Sequence, residues 1–241
     1  MRRASDTGDG VVARHRFATI ASRASVLALP FALLALLGIP LPQVMRAQGA
    51  TIARDTSAAA AVELAARVRA VRHLTGRYDP WFRKYSKRYF GAGFDWRLFK
   101  AQGVAESELN PKAVSPVGAR GLMQVMPATF TLIAAHKSDW SSIDAPEWNI
   151  AAGIIFDRDL WRRWEPDVAP GECARFTFAS YNAGDGTISR AVGVARDARL
   201  DPTIWTSVAQ VAPTVKRWRH QETLGYVKKI EETYEALKSA R

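Results

Sequence analysis

The stretch of this chain best suited to chemistry is AESELNPKAVSPVGARGLMQVMP, residues 105–127. It sets a carboxylic acid, Glu106, at the end of an apolar helical run. A loop rich in Pro and Gly follows, and then an amide, Gln124, between Met123 and Met126. Upstream, Trp96, Phe99, Gly103 and Glu106 recur at helical spacing, so all four share one stripe of a helix. The acid therefore lies on the face that buries two aromatic rings. It also falls in the last helical turn, where unpaired carbonyls make the negative end of the macrodipole. Burial and negative potential both disfavour a carboxylate, so the group should hold its proton to higher pH. Such an acid suits donation to a leaving oxygen, as in cleavage of a glycosidic bond. The bland alternative for the same stripe is a structural Glu paired with Arg97 or Arg120. Glu108 should point elsewhere, into solvent.

The loop adds a ligand-facing character. Ser115-Pro116 reads as an extended or turn dipeptide. Gly118 and Gly121 admit backbone conformations closed to other residues, which lets N–H and C=O groups approach a ligand closely. Gln124 carries both a donor and an acceptor, matching the acetamido group of an amino sugar. Met123 and Met126 would serve as adaptable apolar walls, or as ordinary core.

The elements needed to hold these groups read as helices. Asp79-Pro80 resembles an N-cap followed by proline at the first helical position, with Trp81, Tyr85 and Tyr89 along one face. That face either packs on the core or offers an aromatic platform to carbohydrate. Asp95 caps the helix that ends on Glu106, and Asn110-Pro111 closes it. Pro127 opens another, and a longer helix runs from about 147 to 164, with Ile150, Gly153, Ile154, Asp157, Leu160, Trp161 and Trp164 on one side. Further helices are expected near 171–182, 185–195, 203–210 and 219–238. No alternating run is long enough to be a strand. The expectation is one mainly α domain over 77–241.

Composition supports a folded, exported protein. Of 241 residues, 48% are hydrophobic and 24% charged, enough to build a core and too apolar for a disordered chain. Residues 1–49 hold six arginines against two aspartates, so the body retains +7 of the net +11 and is itself basic. A basic body suits an anionic partner such as nucleic acid, a membrane surface or an anionic wall polymer, or is simply solubilising charge. Val26–Ile39 is an uncharged run of 14 residues, short of the ~20 that span a membrane. Arginines precede it and small residues follow in RAQGA, the flanks of a secretory signal. Residues 1–49 are therefore expected to be a signal peptide, cut near Ala47 or Gly49, or a retained membrane anchor. Residues 50–76, rich in Ala and Arg, read as a linker or helix. Cys173 is the only cysteine, so an internal disulfide and a cysteine-type zinc site are both out of reach. Its apolar setting suits a buried, inert thiol, and no histidine pair has ligand spacing, so no metal and no cofactor are expected.

Four segments together resemble a known family. ESELNPKAVSPVGARGLMQVMPAT is similar to the signature of the soluble lytic transglycosylase domain of lysozyme-like cell-wall enzymes. NIAAGIIFDRDL resembles that family's Asn-Ile-x-x-Gly helix, with Phe156 where Tyr is common. FASYNAGDG resembles its Tyr-Asn-Ala-Gly motif, with Asp185 where Pro is frequent, and ETLGYVKKIEETY resembles its last helix. The lead-in YSKRYFGAGFDWRLF is most similar to the membrane-bound F-type branch, whose preceding solute-binding module has no counterpart in this sequence. The resemblance covers about 78–237, in order. It implies a lysozyme-like helical fold with at most a small β element. It also implies Glu106 as the catalytic acid, with Ser115, Gln124 and Met126 lining a saccharide groove. Tyr181 would hydrogen-bond near the acid, Asn182 would support it, and Glu222 and Tyr226 would stand on the groove side of the last helix.

The same resemblance implies a reaction without water. Glu106 protonates the oxygen bridging N-acetylmuramic acid to N-acetylglucosamine, the muramoyl N-acetyl carbonyl stabilises the cation, and the sugar's own C6 hydroxyl closes a 1,6-anhydro ring. The partners are then peptidoglycan glycan strands in the periplasm or cell envelope, with membrane association through the N-terminal apolar segment if that segment is retained. Three rivals stand beside it. A goose-type lysozyme would need a second carboxylate, with Asp185 or Asp95 as candidates. A peptidoglycan-binding module with a dead site is disfavoured by the presence of Glu106, Gln124 and Tyr181. A nucleic-acid binder is disfavoured by the export segment.

Overall fold

The computed structural model describes residues 76–239 apart from His136. The expected export segment at 1–49, and the linker at 50–76 except its last residue, lie outside the described residues. A 3-10 turn, Gly76–Tyr78, leads into α1, Asp79–Phe90. Asp79 and Pro80 occupy its first turn, one position further in than the sequence suggested. The helix buries Phe82, Tyr85 and Ser86, and leaves Trp81 and Tyr89 half-buried at the margin. The Tyr85 hydroxyl donates to Glu147 Oε1 at 2.8 Å. This aromatic face packs on the core. Gly91, at φ 98°, turns the chain out of the helix.

Helix α2, Arg97–Ser107, is the centre of the domain and buries six consecutive residues, Phe99 to Val104. Asp95 stands one residue ahead of the N-cap position, which Trp96 takes, and still braces the helix start. Its Oδ1 accepts the Arg97 N–H at 3.1 Å, and its carboxylate also holds the Arg97 guanidinium. Lys100, only 1% exposed, donates to Asp79 Oδ1 at 2.6 Å and pins the start of α1 to α2. Losing either partner would strand the other charge in or beside the core. Gly103 has to be small, because a Cβ there would lie 2.8 Å from Leu109 Cδ2, where the following loop folds back.

The remaining α-helices of the described residues are α3 (Pro127–Ala134), α4 (Pro146–Trp164), α5 (Cys173–Ala183), α6 (Asp185–Asp197), α7 (Trp205–Val211) and α8 (His220–Ser239). Each lies within a few residues of its expected span. Helix α2 packs against α8; α4 packs against α1, α3 and α5; α5 also meets α6 and α8. Among the described residues the β content is a pair of isolated antiparallel bridges, Val114 with Arg120 and Arg120 with Val125, so the expected small β element lies inside the loop after Glu106. No helix among the described residues is long and apolar enough to cross a membrane.

Candidate active site

Helix α2 stops three residues before Asn110-Pro111. Glu108 (φ 53°) and Leu109 (φ 58°) both take the left-handed conformation, and their N–H groups bond back to Val104 and Gly103 carbonyls. The side chains part accordingly: Leu109 is buried, while Glu108 is exposed, as expected. Ser107 Oγ donates to the Leu122 carbonyl at 2.8 Å, tying the helix end to the far side of the loop.

The loop is fastened from α4. Asn149, fully buried, accepts the Met123 N–H on Oδ1 at 2.8 Å and donates from Nδ2 to the carbonyls of Arg120 (2.9 Å) and Ile143 (3.0 Å). That amide fills the space over Gly121, where a Cβ would come within 2.5 Å of it. Gly121 also holds φ 76°, so conformation and space both call for glycine there. Ser115 Oγ accepts the Ala119 N–H at 3.0 Å, closing the tip of the loop.

Glu106 itself is partly exposed. The Tyr226 hydroxyl, carried by α8, donates to its Oε1 at 2.5 Å. Burial pushes the Glu106 carboxyl up from its ordinary 4.5 to about 7, against the opposing influence of the Tyr226 hydrogen bond and the nearby Lys229 cation. Neither arginine considered from the sequence reaches it: Arg97 is taken by Asp95, and Arg120 forms a two-pronged pair with Asp144. A carboxyl of this kind is substantially protonated at neutral pH, yet has a hydroxyl ready to stabilise it once ionised.

The other expected site residues divide. Tyr226 meets the acid directly. Tyr181 does not; its hydroxyl donates to the Met123 carbonyl at 2.8 Å, although burial and then the Glu106 charge raise its own pKa well above the ordinary value. Asn182 supports α8 instead of Tyr181: its Oδ1 accepts from Thr223 Oγ1 at 2.8 Å, which in turn accepts the Trp218 indole N–H at 3.0 Å. Gln124 spends its N–H groups on the Ala113 and Gly121 carbonyls at 3.2 and 3.0 Å. Both bonds use the amide nitrogen, which leaves the oxygen as the group still able to pair. Met126 is 41% exposed, as a wall would be, while Met123 is fully buried core. Glu222 is exposed and paired with Arg219, one turn before Tyr226 on α8.

Three groups escaped the sequence reading. Lys229, three residues beyond Tyr226, comes near the acid and donates to the Ala105 carbonyl at 3.4 Å; nothing local to its segment announces this. Asp157 on α4 is completely buried, and its Oδ1 accepts from Gln102 Nε2 at 3.1 Å. Its place on the apolar stripe of α4 was the available signal. Gln102, one turn before Glu106 on α2, is its partner. Among the described residues no cluster of three or more His, Cys, Asp or Glu is placed to hold a metal ion.

A central helix ending in an acid raised by burial, a pinned Gly-containing loop and a tyrosine from the last helix belong to a domain of the helical, lysozyme-like class. The family model described as the transglycosylase SLT domain matches residues 82–202, just over half of the chain, and the chain belongs to that family. It is 34% identical over 169 residues to the membrane-bound lytic murein transglycosylase F of Vibrio cholerae, covering 69% of this chain and 30% of that relative. Its likeness to the protein of the same name from Marinobacter nauticus is 33% over 154 residues, covering 63% and 29%. Among solved structures, the 70 kDa soluble lytic transglycosylase of Escherichia coli superposes with a TM-score of 0.53 at 28% identity, covering 67% of this chain and 24% of that one. The chain thus spans under a third of the length of each of these relatives.

Proposed function

We propose that this domain is a peptidoglycan lytic transglycosylase in which Glu106 serves alternately as acid and base. The observation that carries the reading is the Glu106 carboxyl, lifted to about 7 by burial and bonded to the Tyr226 hydroxyl. Protonated, it gives its proton to the oxygen between N-acetylmuramic acid and N-acetylglucosamine as the C1–O bond breaks. The muramoyl N-acetyl carbonyl stabilises the cation at C1. The resulting carboxylate, held by the Tyr226 hydroxyl and favoured by Lys229, takes the C6 hydroxyl proton as that oxygen bonds to C1. The acid returns to its starting form, and the product ends in a 1,6-anhydro sugar.

Hydrolysis would call for a second carboxylate to position water. The two candidates are otherwise engaged: Asp95 holds Arg97 and accepts from Tyr234, and Asp185 lies beside Arg163. Ser115, Gln124 and Met126 would line the groove, with the Gln124 oxygen accepting an acetamido N–H. The catalytic domain is taken as residues 77–241, exported to the cell envelope by the segment at 1–49. The relatives' name, membrane-bound lytic murein transglycosylase, supports both substrate and place.

The test is mass spectrometry of fragments released from purified peptidoglycan. Products lighter by one water than their hydrolytic counterparts are expected, and Glu106→Gln should release none while keeping its fold. Reducing ends would make the protein a lysozyme; release by Glu106→Gln would remove Glu106 from the reaction.

A further inference from the structure

Behind Glu106 lies a second carboxyl that the proposed reaction does not use. Asp157 has no exposed surface, and no lysine, arginine or histidine among the described residues pairs with it. Its one partner is an amide: Gln102 Nε2 donates to Asp157 Oδ1 at 3.1 Å. Each of the two side chains then has one oxygen left, Asp157 Oδ2 and Gln102 Oε1, and both are buried without a donor. A carboxylate facing an amide leaves that pattern unexplained, since two acceptors cannot satisfy each other and each orphan is costly. A carboxylic acid accounts for both at once. Its O–H on Oδ2 donates to Gln102 Oε1 while Oδ1 accepts the amide N–H, giving the paired, ring-closed arrangement of an acid with a primary amide.

The surroundings agree. The buried residues of α1 are Phe82, Tyr85 and Ser86, and the Tyr85 hydroxyl goes to Glu147. The buried residue of α3 is Phe130. From α5 and α8 come Tyr181 and Tyr226, whose hydroxyls are committed to the Met123 carbonyl and to Glu106. Arg158, next along α4, lies over the Phe90 ring. Burial first, with the Glu106 charge adding to it, pushes the Asp157 carboxyl well above its usual range.

We propose that Asp157 keeps its proton and closes a ring with Gln102 one helical turn behind Glu106, so that the interior next to the acid stays uncharged while Glu106 cycles. Asp157 is a positioning residue and touches no substrate. Its role in the cycle rests on the reading of Glu106 given above; its protonation does not. An ionised Asp157 would repel the Glu106 carboxylate and hinder the half of the cycle in which Glu106 must give up its proton.

The decisive experiment needs no turnover. An infrared difference spectrum of the full chain, wild type minus Asp157→Asn, is taken near pH 8. It should show the C=O band of one un-ionised carboxyl missing from the variant. A carboxylate band in its place overturns the proposal. If Asp157→Asn fails to fold, carboxyl-carbon NMR of the wild type replaces it. One aspartate carboxyl carbon should keep the chemical shift of the protonated acid from about pH 4 to 8, and a carboxylate shift for every aspartate at pH 8 is the refuting result. If the protein is active, the alkaline limb of its rate profile should keep its midpoint in Asp157→Asn to within a few tenths of a pH unit. A fall of roughly one unit or more would mean that Asp157 loses its proton before Glu106, contrary to the proposal.

Discussion

Replacing Glu106 by Gln should stabilise the protein, but only where the wild-type acid is ionised. The amide matches the protonated acid in shape and can still accept the Tyr226 O–H, so below the unfolded value of the carboxyl the two proteins should be equally stable. In the wild type the folded-state value is raised, so the folded chain binds more protons than the unfolded one, and stability falls as pH rises through that interval. At ~1.36 kcal/mol per pH unit, the gap between 4.5 and about 7 comes to about 3 kcal/mol by the time the group is fully ionised. The variant has no such loss. Urea denaturation of both proteins near pH 4 and near pH 8 measures it. The expected result is coincident midpoints at the lower pH and a higher midpoint for Glu106→Gln at the upper. Equal midpoints at both, or a less stable variant at pH 8, would refute the claim that burial holds this carboxyl in its neutral form.

Two further consequences can be checked. Turnover should decline above about pH 7 as Glu106 loses its proton. Tyr226→Phe removes a hydrogen bond that favours the carboxylate, so that limb should move up by roughly one pH unit while kcat drops; a downward shift would contradict the arrangement. Gly121→Ala should destabilise the fold by about 2 kcal/mol or more, because the residue keeps a positive φ and its methyl group meets the Asn149 amide. Loss of activity should accompany it, and a neutral effect in thermal melts would count against the Asn149 anchor.

Much of this was legible in the chain itself, and what was not has identifiable causes. Glu106 stood out because an acid on an apolar stripe is a local signal. Pro127 and Pro146 sit in the first turns of α3 and α4, where their rigid φ is welcome, so those starts were readable to within a residue. The end of α2 was not. It turns on Glu108 and Leu109, two non-glycine residues in left-handed conformation, and no composition marks such a stop; the visible punctuation was Asn110-Pro111. That Tyr226, and not Tyr181, bonds to the acid itself was hidden for a different reason. Which tyrosine arrives depends on how α5 and α8 dock on α2, and periodicity within each helix says nothing about that. Arg97 and Arg120 found aspartates of their own, Asp95 and Asp144, an outcome decided by loop placement. Asp157 had the same signature as Glu106, an acid on an apolar stripe, and lacked only the flanking loop that drew attention to the other.

The bond between Tyr226 and Glu106 joins residues 120 positions apart. In a chain made from its N-terminus, α2 and its loop are therefore complete long before their last contact exists, and such distant pairings form late. Until α8 docks, Glu106 faces water. It then titrates as an ordinary carboxyl and is ionised at neutral pH, with no proton to donate. An unfinished chain, or one clipped ahead of α8, would carry every residue of the loop and still be chemically silent. For a protein proposed to cut the wall of the cell that makes it, this delay is a safeguard that needs no inhibitor.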